Sequence, residues 1–312
     1  MRTRLQVLLL VLLLGLAACG KDDSPSQSAG GSSSTATAED GAKGEPKLLE
    51  AGSAPRRVLR LTAAVGAERR ATMRMIMKLA QTIDGKAGPT IETPPIDMGM
   101  VIRVDQIEGD EIEGTFRYDS VNVVDDGSAD PALVQGLKQS GIDKLTTVSG
   151  TLRMTTRGQL LDASISKPAD FPPAIGQFLD QLEPQLQNMT VPFPKEAIGP
   201  GARWSVETDL TLGGIRLNNE YIYDLLEVTG DLYKLKLTVK QTAPAQTADL
   251  QGVKARITSF ATTGEGTTTG RLNELLPVAF TTHAVGDQVF EFDQGGKTSK
   301  LSQNIDMTVT LR

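Results

Sequence analysis

The sequence predicts a mainly β chain, with long antiparallel strands in a curved open sheet or a pair of sheets and two short helices between its halves. Three observations carry this. Thr occurs 32 times in 312 residues, and a β-branched side chain suits a pleated, half-buried surface better than a helix interior. Apolar and polar residues alternate with period two through most of the chain beyond residue 57, the pattern of strands with one face buried. Glycine-containing turn pairs then separate the alternating runs.

In chain order, the first runs are Leu59, Leu61, Ala63 and Val65, followed by Met73, Met75, Met77 and Leu79. Met98, Met100, Ile102 and Val104 lead through Gly109-Asp110 to Ile112, Gly114, Phe116 and Tyr118, a hairpin. Val148, Leu152 and Met154 face Leu161, Ala163 and Ile165 across a turn at Arg157-Gly158. In the second half Trp204, Val206 and Leu210 precede Gly213-Gly214, after which Ile215, Leu217, Tyr221, Tyr223 and Leu225 share one parity. Gly230-Asp231 leads to Tyr233, Leu235, Leu237 and Val239, which alternate with Lys234, Lys236, Thr238 and Lys240. Further strands are predicted at 251–264, 266–273, 278–293 and 298–311, the last two joined by Gly295-Gly296. One helix starts at Asp130-Pro131, carries Leu133 and Leu137 and ends at Gly141. The other has Ile175, Phe178, Leu179, Leu182 and Leu186 on one stripe, with Pro184 ending or bending it.

The N-terminus reads as an address. Met1–Arg4 is a short basic region and Leu5–Leu16 an apolar run ending in Ala17-Ala18-Cys19, the layout of a secretory signal peptide that is too short to span a bilayer. Residues 21–56 are dominated by Ser, Gly, Ala, Asp, Glu, Lys and Pro, a composition that cannot bury enough surface to offset its chain entropy. The expected organisation is a signal peptide at 1–18, a modified Cys19 with a disordered tether to residue 56, and a β-rich domain over 57–312, with a possible subdivision near 190.

Composition excludes several chemistries. One Cys and one His rule out a disulfide scaffold, a cysteine zinc site and any site that needs two histidines in one subunit. The net charge of -6 becomes two units more negative once Arg2 and Arg4 leave with the leader, so there is no electrostatic footprint for nucleic acid. His283 lies in a strand-like run, no G-x-S-x-G occurs, and Gly264-Glu265-Gly266 lacks the Lys and helix of a phosphate loop. Asp125-Asp126, Glu111 and Glu113 fall at turn and exposed-strand positions. The expectation is no catalytic residue, no metal and no cofactor, hence no enzyme. A buried carboxylate pair in a cleft would change that.

Leu16-Ala17-Ala18-Cys19 resembles the lipobox of bacterial lipoproteins. The resemblance implies a diacylglyceryl group on the Cys19 thiol, cleavage just before it, and stable anchoring by two or three acyl chains. Gly20 rather than Asp follows the cysteine, which in proteobacterial lipoproteins implies the outer membrane, facing the periplasm. Pro192-Phe193-Pro194 with Gly199-Pro200-Gly201-Ala202-Arg203-Trp204 resembles a P-x-P-x4-G-x-G-x-x-W pattern of an uncharacterised bacterial lipoprotein family and implies no known chemistry. By itself the segment reads as a turn followed by an anchoring Trp. The architecture looks like the half-barrel of periplasmic lipoprotein and lipid carriers, whose helices cover a concave apolar face.

The methionines at 73, 75, 77, 98 and 100 are the candidate lining of a hydrophobic-ligand site. Their spacing places Met73, Met75 and Met77 on one strand face, opposite Met98 and Met100 of a neighbour. Ordinary core, an adaptable cavity wall and a soft Cu(I) site compete as explanations. The expected function is a non-enzymatic, outer-membrane-anchored lipoprotein that binds a hydrophobic small molecule such as a lipid or acyl chain. The alternative is an envelope structural or assembly accessory that binds protein partners by its sheet edges.

Overall fold

The computed structural model describes residues 44–169, 171, 175–176, 179, 190–212, 214–250, 253–294 and 297–312. The leader, Cys19, the tether up to residue 43, most of the second predicted helix and the Gly295-Gly296 turn lie outside them. The elements are β1 (Lys47–Ala51), β2 (Glu68–Ile83), β3 (Lys86–Ala87), β4 (Ile91–Glu92), β5 (Ile96–Glu108), β6 (Glu111–Val123), α1 (Pro131–Gln139), a 3-10 helix (Ile142–Thr147), β7 (Ser149–Thr155), β8 (Leu160–Ser166), β9 (Ala202–Leu212), β10 (Ile215–Thr229), β11 (Leu232–Thr242), β12 (Gln246–Leu250), β13 (Val253–Arg271), β14 (Ala279–Gln294) and β15 (Lys297–Leu311).

These strands form one open antiparallel sheet in the order β1-β9-β10-β11-β13-β14-β15-β2-β5-β6-β7-β8, with β12 on β13 and β3 and β4 on β2. The pairs β1·β9 and β15·β2 join strands on either side of residue 190, so the sheet runs continuously across that position. Phe116 and Met154 from one end of the strand order share a buried cluster with Trp204, Tyr223 and Tyr233 from the other. A flat sheet could not bring them together. The sheet therefore curves, and its apolar parity faces inward.

One end of the curve is plugged by chain rather than left hollow. Arg57 and Ile198 exchange backbone hydrogen bonds; Leu61 N then donates to Thr156 O and Thr62 N to Leu272 O, both at 2.6 Å. This extended segment crosses from β9 to the β7–β8 turn and the end of β13. Leu59 and Ile198 are fully buried along it. A second, smaller cluster at the other end gathers Ile215, Leu217, Ile257, Phe290, Phe292 and Leu301.

Helix α1 starts as its sequence predicts, with Asp130 accepting a hydrogen bond from Ala132 N at 2.7 Å. It buries Val134 and Leu137, and Gly141 follows in the left-handed region at φ 84°. Ile175, Gly176 and Leu179 are helical, with Ile175 and Leu179 in the larger core.

Four expectations change. Leu59–Val65 is not a strand: its period-two burial belongs to the plug, and Val65 is exposed. Residues 47–51 are not tether: Lys47–Ala51 pairs with β9 as a five-residue strand at one end of the sheet order. The runs 251–264 and 266–273 are one strand, β13, since Gly264 and Gly266 pair straight across to Ala284 and Thr282 and make no turn. A register shift at Arg153/Met154 turns Leu160 inward and leaves Leu161 exposed.

Candidate functional site

The inward face carries three zones: the larger cluster at the plugged end, the smaller one at the other, and a partly accessible middle. The P-x-P-x4-G-x-G-x-x-W segment belongs to the first. Phe193 and Trp204 are fully buried. Trp204 Nε1 donates to Pro192 O at 2.9 Å, its ring stacks on Tyr223 at 5.3 Å, and Phe193 meets Tyr233 edge-on at 5.2 Å. Gly201 supplies the left-handed turn at φ 82° before the strand. Phe193, Gly201 and Trp204 of the motif thus have packing or turn roles, and burial pushes the Tyr223 and Tyr233 phenols well above the usual tyrosine range.

The five methionines lie on the inward parity of two adjacent strands. Met73 pairs with Met98, Ala71 with Met100, and Met75 with Ile96. Met77, Met98 and Met100 are buried, whereas Met73 and Met75 are half-buried. The group therefore divides. Met98 and Met100 pack in the larger core, where Met100 also touches a hollow of about 20 Å³, lined with Ile102, Phe116, Leu152 and Leu160, the space of about one water. Met73 packs against the margin of the same core, and Met75 and Met77 lie beside β15, where Met307 pairs with Met77 and Val309 with Met75.

On the other side of β15 the inward face becomes a furrow. Its floor consists of Thr282, Ala284 and Gly286 on β14 paired with Gly266, Gly264 and Thr262 on β13. Ile305, Met307 and Val309 of β15 form one wall. Leu237 and Val239 of β11, opposite Gly266 and Gly264, form the other. All five wall side chains are half-buried. Small residues below and larger apolar ones on both sides leave a trough along the strand direction.

The furrow ends at a row of amides. Gln81, Gln303 and Gln288 pair directly across β2, β15 and β14, all buried. Gln303 is 2% exposed, and neither its Nε2 nor its Oε1 has a partner among the described residues. A neighbouring polar row continues on β9–β11, where Gln241 Nε2 donates to Asn219 Oδ1 at 2.8 Å and Asn219 Nδ2 to Thr208 Oγ1 at 3.4 Å. Sequence reading passed over these amides and Met307. Their signal was present: Gln81, Gln303, Gln288, Asn219 and Gln241 each interrupt the apolar parity of an otherwise regular strand.

The charged candidates have local explanations. Arg153 Nη1 lies 2.9 Å from Glu111 Oε2. Asp126 accepts from Ser128 N and Oγ, bonds that hold its carboxyl below the usual range. His283 Nε2 is 2.8 Å from Asp306 Oδ1 on the exposed outer face. Arg74 and Asp97 share two parallel hydrogen bonds of 2.6 and 2.7 Å; the Arg74 guanidinium holds the Asp97 carboxyl down. Among the described residues no group of three or more His, Cys, Asp or Glu could hold a metal ion, and no helix is long and apolar enough to cross a membrane.

Residues 179–274 match a family of unknown function, DUF6263, under a third of the chain, including Pro192–Trp204. No curated protein matches. Solved structures with some likeness include a loop-L8 deletion mutant of OmpT, an outer membrane protein of Vibrio cholerae, at 7% identity and TM-score 0.22 over 78% of this chain and 99% of that one. Another is OccK2 (OpdF) of Pseudomonas aeruginosa, at 8% identity and TM-score 0.16 over 80% and 98%. The outward face of this sheet carries the Arg203–Asp224, Lys236–Glu265 and His283–Asp306 pairs.

Proposed function

We propose that this chain is a non-enzymatic lipoprotein of the bacterial envelope, anchored through Cys19 at the outer membrane and facing the periplasm, that holds a hydrophobic ligand such as a lipid or acyl chain in the inward furrow. The observation that carries the reading is the half-buried apolar lining of the furrow, Leu237, Val239, Ile305, Met307 and Val309, which continues from the larger cluster through Leu237 and Val239. Apolar surface left in water is available to a ligand at about 25 cal/mol per Å² covered. An acyl chain matches a trough with apolar walls and a small-residue floor, and flexible Met307 adapts to its shape.

The test is organic extraction of the chain purified from its membrane, followed by mass spectrometry of the released molecules. Near-stoichiometric non-covalent amphiphile is expected; protein that carries none and binds no fluorescent acyl probe would refute the reading.

A further inference from the structure

We infer, building on the ligand-binding reading above, that the furrow selects an uncharged amphiphile whose ester, amide or hydroxyl group hydrogen-bonds to Gln303, in preference to a free carboxylate. Buried polar groups are nearly always paired, yet among the described residues both amide atoms of Gln303 are unpartnered in a side chain that is 2% exposed. Gln303 lies where the furrow ends, beside Ile305 of its wall and Gly286 of its floor. Gln81 and Gln288 flank it in register, so a line of buried carboxamides closes the end of the trough, and a ligand head group reaches Gln303 as its flexible side chain turns toward the trough. Each carboxamide can both donate and accept.

The chemistry of this end fixes the ligand class. From Met73 to Ile83 on β2, Phe280 to Phe292 on β14 and Leu301 to Leu311 on β15, the inward positions carry no charged side chain. A carboxylate or phosphate buried there would have no cation to offset its desolvation. A neutral carbonyl or hydroxyl would accept from or donate to the amide at no such cost. Where a site is built to hydrogen-bond one group, an analogue that cannot satisfy it is rejected strongly.

The test compares 1-monopalmitoylglycerol with ionised palmitate by isothermal titration of the full chain and of Gln303→Met, which keeps the unbranched shape and removes the amide. The wild-type chain should bind the glycerol ester about tenfold more tightly or better, a difference of about 1.4 kcal/mol. Gln303→Met should abolish the preference by weakening the ester alone, with palmitate unchanged. Palmitate bound as tightly as the ester, or a preference that survives Gln303→Met, would overturn the inference while leaving the ligand-binding reading intact. Binding of neither probe would overturn both. Thermal unfolding checks that the variant folds; should it not, Gln288→Met is judged on the same ratio.

Discussion

Met98 and Met75 share a strand-pair face and a residue type, but they differ in what surrounds them, and that difference decides what each contributes. Met98 is 3% exposed in the larger core, so Met98→Ala should leave a cavity and cost about 2–5 kcal/mol. Met75 is half-buried and should cost clearly less, under about 1 kcal/mol, because few neighbours lose contacts. Urea unfolding of both variants checks this; equal large costs would return the whole methionine face to packed core. Asp97 gives a pH signature. Its folded carboxyl lies below the ordinary 3.8 because of Arg74, so its contribution is present above that value and is lost as pH falls through the lower, folded one. Asp97→Asn should flatten the acid limb of a stability–pH curve and leave the curve's shape near neutrality unchanged. The alternation of Met73, Met75 and Met77 was legible in the sequence, but which of them remain accessible was not, because that depends on β15, some 230 residues further along the chain.

At the scale of elements, period two reported which side chains point inward in most runs, with Leu161 and Val65 as exceptions, but not always what they point from. Leu59, Leu61 and Ala63 alternate because they plug the end of the curve, and an extended segment has the period of a strand whether or not it is paired. Gly264 and Gly266 bound a break between two predicted strands, yet they lie within one paired strand, β13, and lower the floor of the furrow. The register shift that exchanges Leu161 for Leu160 leaves no mark on composition. Aromatic rings lie over two other glycines: a Cβ on Gly270 would meet Tyr233 Cζ at 2.1 Å, and one on Gly150 would meet Phe116 Cζ at 2.3 Å. Gly270→Ala should therefore displace the Tyr233 ring from Phe193 and destabilise by about 1–3 kcal/mol, seen as a lower denaturation midpoint with an unchanged slope. A neutral outcome would mean that the ring moves freely.

For the whole molecule, a curved open sheet with a polar outer face was legible from alternation and turn residues, since each strand carries its own record of inside and outside. The furrow was less so: it needs small residues on β13 and β14 beside large ones on β11 and β15, and strand order is not written in any one strand. Cys19→Ser should abolish acyl labelling and leave the leader poorly processed, and labelling that persists would sink the lipid anchor. The central claim is that the inward furrow holds the ligand, and it can be blocked from its floor. Ala284 sits opposite Gly264, so Phe there would lie over a glycine as Phe116 does over Gly150, filling the trough without disturbing the sheet. The most direct measurement is native mass spectrometry of the full chain purified from membranes, wild type beside Ala284→Phe. One non-covalent amphiphile per wild-type chain and none on the folded variant is the predicted result; equal occupancy of the two would contradict it.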